Sequence, residues 1–329
     1  MNRRQALGVL GAGTALATLP GCARSLVAGM LGSADAVLED IAYNLLEHEP
    51  ERATSLGVDT GPYAYLRGRL EDQSPAGQDA LAATLKSDLA RVRAFPKAGL
   101  DTETLTNLEV VGSAYDIALQ GLALPYGDVP VGSWRTAPYV VIQNVGTYLD
   151  MPRFMDANHK IESAQDADAY IERLQQMPAV LDGELARIRD ARGMGVTPPS
   201  FLLDKAMGQM EQTIASAGKG ELFAETLRPK LANAGLAERY ADRALALESG
   251  PIAEALSRQL EELRIERAVA TSTPGISSRP RGEEFYAWAL RSSTTTDLSA
   301  DQIHRQGLEE LEALHARMDP ILREIGFTT

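Results

Sequence analysis

RGEEFYAWALRSSTTTDLSADQIHRQGLEELEALHARMDPILREIGF, residues 281–327, carries the strongest helix signals in the chain and decides its fold class. Ser299 and Gln302 stand three apart, the spacing of a capping box in which the hydroxyl accepts from the Gln302 backbone N–H and the amide reaches back. A helix therefore begins at Ala300, with Leu298 and Ile303 placed as a hydrophobic staple across the cap. Ile303, Gly307, Leu311, Leu314 and Met318 recur at helical spacing with Leu308 beside them, drawing one apolar stripe that calls for burial. Asp319 before Pro320 predicts a break, with Pro320 opening a short last helix that Gly326 ends.

Working back along the chain, the same signals recur. Ser33 is placed to cap a helix whose apolar face is Val37, Leu38, Ile41, Leu45 and Leu46, and which should stop at His48–Glu49, ahead of Pro50. A loop with Gly57, Gly61 and Pro62 follows. Ser74-Pro75 pairs a cap with a first-turn proline and opens a helix through Leu81, Leu85, Leu89 and Val92. Residues 102–122 form a third long helix. Residues 164–191 return to helix, with Pro178 expected to break or bend it. Further helices are expected at 201–217, 221–234 and, as a pair divided by Gly250-Pro251, 236–265. The reading is an all-α, elongated multi-helix array.

Residues 125–150 differ in kind. Their prolines, glycines and aromatics follow no sustained period of 3.6. Tyr139-Val140-Val141-Ile142 fits either a short strand or a buried extended segment. The insertion is read as plugging the core, because no cluster of titratable residues accompanies it in sequence, with Trp134 and Arg135 as exceptions.

The chain has 329 residues and a formal charge of −13. Without residues 1–22 there remain 30 basic against 45 acidic side chains, since Arg3 and Arg4 are the only charges in that segment. Such a surface repels phosphate and argues against nucleic acid as a partner. The N-terminal MNRRQALGVLGAGTALATLPGC joins a short basic head to fourteen mostly apolar or small residues, too few for a permanent span, and is read as an export signal. Arg3-Arg4 resembles a twin-arginine signal, with Ala6 in place of the usual phenylalanine, so the general secretory route stays open. Cys22 ends a lipobox-like Leu19-Pro20-Gly21-Cys22 and is the candidate for lipidation, the alternative being cleavage after Ala23. No other cysteine exists, so no disulfide supports the mature fold. The only membrane attachment expected is through that lipid.

YAWALRSSTTTDLSADQIHRQGLEELEAL closely resembles the bacterial "domain of unknown function 885" family, in which a tyrosine, a threonine-rich turn, a capped helix and a glycine-containing GLEE follow in order. PERATSLG at 50–57, RLEDQS at 69–74, DADAYIERLQQMP at 166–178 and RGMGVTPP at 192–199 agree with it in the same order, so the resemblance spans residues 34–327. It implies an all-helical fold and a zinc metallopeptidase with a His-Glu-x-x-Pro-Gly-His type motif in the C-terminal half, so that zinc is expected in a full-length member. It also implies that peptide lies in a channel walled by both halves. Trp288, Arg291 and Thr294 are the candidate groove residues, an aromatic, a guanidinium and a hydroxyl able to hold extended peptide. Their competing reading is a core anchor plus turn residues.

The four histidines, His48, His159, His304 and His315, include no pair with the His-Glu-x-x-His spacing that puts two imidazoles and a glutamate base on one helix face. His48-Glu49 starts that motif and fails, with Pro50 next and Arg52 where the second histidine belongs. His304 and His315 are about 16 Å apart along one helix, too far for one metal, and are read as flanking the apolar stripe. No G-x-S-x-G elbow occurs, which sets aside serine hydrolase chemistry. Two functions follow. One is the N-terminal half of an exported zinc peptidase, positioning peptide without hydrolysing it, with the catalytic half missing as in a truncated record or split gene. The other is a complete, non-catalytic helical lipoprotein that binds a peptide or an envelope protein.

Overall fold

Ser163 and Asp166 open the helix on which the fold is built. The Ser163 hydroxyl takes the Asp166 N–H while the Asp166 carboxylate takes the Ser163 N–H, closing a reciprocal cap. The helix that follows runs from Ala164 to Gly193, 30 residues. The computed structural model describes residues 33–132 and 136–327. The export segment, Cys22, Trp134 and Arg135 lie outside the described residues.

In chain order the α-helices are α1 Ala34–Leu46, α2 Pro50–Leu56, α3 Pro75–Ala94, α4 Thr102–Leu122, α5 Thr147–Ala157, α6 Ala164–Gly193, α7 Ser200–Lys219, α8 Ala224–Asn233, α9 Arg239–Leu247, α10 Ala253–Val269, α11 Gly282–Thr294 and α12 Ala300–Glu324. A 3-10 turn, Gly61–Gly68, lies between α2 and α3, and a π turn, Glu248–Ile252, joins α9 to α10. The described residues contain no strand, only isolated bridges at Asp128–Ala137 and Ile142–Val145. The fold is all-α.

Two apolar clusters meet along α6. One packs Tyr170, Leu174, Met177 and Leu181 of α6 against α5, α7, α8, α9 and α10. The other joins α1, α3, α4 and α11 around the irregular segment, through Ile41, Leu85, Leu108, Tyr115, Ile142 and Trp288. Pro178 lies between the two buried residues Met177 and Val180 and does not break α6. A mid-helix proline costs about 3 kcal/mol, but burying Met177 and Leu181 returns roughly 1.5–3 kcal/mol each. Packing wins over propensity there.

Caps placed most boundaries as the sequence implied: Ser33, Ser74 and Ser299 each accept the backbone N–H three residues on. Three expectations are corrected. Pro50 does not end structure but starts it, standing at the first turn of α2, where its missing N–H is no loss. Asp319-Pro320 does not break the last helix, which runs on to Glu324; at an exposed helix end nothing forces the kink outward. The apolar stripe of that helix is not buried. No residue of α12 is, and Leu308, Leu311, Leu314, Met318, Ile321 and Ile325 are 45–65% exposed, because no other described element covers them.

The seam between α4 and α11 yields a direct test of packing. Gly121 lets the Trp288 ring lie against the helix backbone: a Cβ there would sit 2.2 Å from Trp288 Cζ2. Gly121→Ala should therefore destabilise the protein by about 2 kcal/mol through overpacking. Gly112→Ala on the same helix meets only Val92 at 3.6 Å, and should be neutral or stabilising by up to about 1 kcal/mol. Urea midpoints of the two variants measure the contrast, and equal shifts would refute this account of the seam.

Candidate functional site

Six carboxylates from separated parts of the chain line one cleft of about 350 Å3: Glu49, Glu51, Glu71, Asp128, Asp150 and Glu184. Arg52 is the single cation in its wall, and Val129, Val131, Val140, Val145, Met151 and Phe154 make the apolar side. The cleft is held by chain geometry rather than by a local motif. Pro50 at the start of α2 turns Glu51 inward, where both its oxygens accept the Glu71 N–H at 3.2 Å. Arg52 Nη1 bonds Glu49 at 2.8 Å and the Val131 carbonyl at 3.4 Å, tying α2 to the irregular segment. Arg187 of α6 holds the other end of that segment through Asp128 at 2.9 Å and the Gly127 carbonyl at 2.8 Å. Glu184 accepts from the Thr147 N–H and hydroxyl at the start of α5 and from Gln259 of α10.

Burial sets the electrostatics. It raises the Glu49, Glu51 and Glu184 carboxyls above their ordinary range, with Arg52 partly offsetting it at Glu49. Glu71 is pushed well above that range, first by burial and then by the nearby charges of Glu51, Asp128 and Glu49. A site so short of cations, beside an apolar wall, suits a ligand that brings positive charge on an aliphatic stem. Glu71, held protonated, would also offer a hydrogen-bond donor.

The irregular segment thus does two things. Tyr139, Val141 and Ile142 fill the core, while Val129, Val131, Val140 and Val145 form the cleft wall. The expectation that no titratable cluster accompanies it is corrected: Asp128 and Asp150 flank it in sequence, and the other four carboxylates arrive from α2, the approach to α3, and α6. Only Pro50 after Glu49, and the density of acids near it, hinted at this.

Trp288, Arg291 and Thr294 lie on α11 and do not line this cleft. The buried Trp288 indole donates to the Ile117 carbonyl at 2.8 Å and stacks edge-on to Phe285. Arg291 is exposed, bonded to Gln120 at 3.3 Å with Asp297 3.5 Å away, and the Thr294 hydroxyl donates to Leu290 O at 2.8 Å.

The zinc that the family resemblance implies has no fitting set of donors among the described residues, where no three of His, Cys, Asp and Glu are grouped to hold a metal. His48 Nε2 bonds Thr84 at 2.9 Å. Buried His159 bonds the Asp166 carbonyl through Nε2 and Arg173 through Nδ1, and both burial and Arg173 lower its pKa to about 4. His304 and His315 sit exposed on α12. No helix among the described residues is long and apolar enough to cross a membrane.

The protein is thus an all-α chain wrapped about one long helix, with an acidic, apolar-walled cleft at its middle. It belongs to the family described as bacterial protein of unknown function (DUF885), whose profile matches residues 50–329. The fold is similar to the crystal structure of a candidate lipoprotein from Colwellia psychrerythraea, with a TM-score of 0.81 and 20% identity over 91% of this chain. The chain spans about half, 52%, of that protein. A curated relative, the hemin import ATP-binding protein HmuV of Nocardia farcinica, is 30% identical over 188 residues, 54% of this chain and 62% of that protein. The present sequence has no G-x-x-x-x-G-K-[ST] phosphate loop.

Proposed function

We propose that this chain is the N-terminal, peptide-positioning half of an exported protein resembling zinc metallopeptidases, and that it does not hydrolyse peptide by itself. The observation that carries the reading is α12, whose whole apolar stripe faces outward. Soluble proteins rarely expose a contiguous apolar patch of more than a few hundred Å2 unless something docks there. Two further points support it: the similar lipoprotein is about twice as long as the part this chain matches, and no His-Glu-x-x-His spacing occurs in the sequence. The signal-like segment with Cys22, together with that neighbour, supports an envelope location.

In this reading the acidic cleft receives lysine or arginine side chains of an extended peptide, and the exposed Arg291 and Thr294 on α11 contact the same peptide further along. The purified 329-residue chain tests both parts. Zinc analysis and a peptide-hydrolysis assay should show neither stoichiometric metal nor turnover; stoichiometric zinc with turnover would overturn the claim of inactivity. A fluorescent lysine-rich decapeptide should bind more tightly than a glutamate-rich one, lose affinity with added salt, and bind about tenfold more weakly to the E51Q/D128N double variant. Equal binding of the two peptides would remove the cleft from the proposal. Tight binding of peptide regardless of charge, with no zinc, would favour the complete, non-catalytic lipoprotein instead.

A further inference from the structure

Away from the cleft, Glu248 is a fully buried carboxylate in the π turn between α9 and α10. Its Oε2 accepts the Phe223 N–H at 2.6 Å, at the start of α8, while its Oε1 is enclosed and has no hydrogen-bond partner. The turn it grips is tight: Gly220 adopts φ +83°, and a Cβ there would lie 2.7 Å from Leu245 and 3.1 Å from Glu248 Oε1. Downstream of that turn, α8 reaches α5 through Lys230, whose ammonium donates to the Met155, Asp156 and His159 carbonyls. α5 in turn carries Asp150, Met151 and Phe154 into the cleft. One buried oxygen therefore sits at the root of a strap that ends on a cleft helix.

We propose that Glu248 makes the Gly220–Phe223 turn and α8 a proton-sensitive clasp on α5, closed when the carboxyl is protonated and loosened when it ionises. A neutral carboxyl can remain in this apolar site, whereas an ionised one leaves charge on an oxygen that nothing solvates. Local opening of the turn lets water reach it. The groups facing Glu248 favour the neutral form. Glu225 of α8 adds repulsion, while α6 presents only Tyr170, whose hydroxyl donates to the Phe223 carbonyl at 3.4 Å. No ion pair to Glu248 exists among the described residues of α7, α9 or α10. Burial raises its pKa to about 7, against 4.5 when the turn is open.

The sign follows from linkage. A raised folded-state pKa protects the closed turn fully below the open-state value, and that protection is lost as pH rises toward 7. With these two values the opening constant should rise about fortyfold between pH 5 and pH 7 and level off above about pH 8. Amide hydrogen exchange at residues 221–224, divided by the intrinsic rate at each pH, reads this constant. In E248Q the corrected rates should not vary with pH, while amides in α3 and α4 behave as in the wild type. Wild-type rates that are flat between pH 5 and 8 would overturn the clasp. A carbon-13 titration of the labelled Glu248 carboxyl in the unaltered protein keeps the test independent of whether E248Q folds: a transition below pH 5 would equally refute it.

Discussion

Replacing Arg173 by methionine should destabilise the protein by at least about 4 kcal/mol, the largest effect expected from any single polar residue. Its guanidinium is fully buried on α6 and is shared among five acceptors: Arg69 O at 2.9 Å, His159 Nδ1 at 3.0 Å, Leu66 O at 3.1 Å, Pro50 O at 3.3 Å and the Thr54 hydroxyl at 2.7 Å. It also lies over the Phe154 ring at 4.9 Å. Burial lowers its pKa only to about 10, so it stays charged at neutral pH. Methionine keeps the volume and removes every donor, so the loss reports orphaned acceptors rather than a cavity. Each buried acceptor left unpaired costs roughly 1–3 kcal/mol, and breaking a buried charged network costs 3–5 kcal/mol.

The comparison variant is Arg264→Met. Arg264 pairs with Glu211 at 3.0 Å with both side chains about half exposed, so the change should cost under about 0.5 kcal/mol. Urea midpoints with unchanged slope measure both. A shift for Arg173→Met no larger than that for Arg264→Met would show that the hub does not hold α2, the 3-10 turn and α6 together.

The second large effect is a pH dependence that resides in α10. Glu266 is almost fully buried, and burial, then the charge of Glu262 one turn away, raises its carboxyl to about 8, with Arg192 offsetting part of this. Arg189 and Arg192 instead bond Glu262, at 2.8 and 2.6 Å, and bring its carboxyl below the usual range. The two glutamates thus titrate in opposite directions. For Glu266 the folded pKa lies above the unfolded one, so its stability is fully present below about 4.5 and is lost as pH rises to about 8. For Glu262 the folded pKa is depressed, and its contribution disappears only as pH falls below the ordinary glutamate value.

Stability should therefore decline between pH 5 and pH 8. E266Q, which mimics the neutral acid, should be more stable than wild type at pH 8 by about 3 kcal/mol and nearly equal to it at pH 5. Thermal unfolding at the two pH values gives the answer; a Glu266→Gln variant that follows the wild-type pH profile would exclude this origin. The cleft glutamates, raised by burial, act in the same direction and leave a residual slope.

Helices were legible wherever a cap or a first-turn proline marked them. Ser74-Pro75 and Ser299 with Gln302 place α3 and α12 to the residue, because capping is a contract between residues three apart. Pro50, Pro178 and Pro320 were misjudged because local propensity says nothing of what lies on either side. Met177 and Leu181 decide the case of Pro178, and both are buried by helices far along the chain. The cleft was not legible at all. Its carboxylates come from residues 49 to 184, and no spacing in a one-dimensional string brings Glu71 beside Asp128. Arg173 was equally hidden, since in DADAYIERLQQMP it reads as one more charge on a polar helix face.

α12 contributes nothing to the interior that the other helices share. Leu311 and Met318 can be exchanged for polar residues without opening a hole in that interior, so the chain's own cohesion does not defend their apolar character. Whatever keeps such a stripe greasy over generations must lie in an encounter between this surface and another.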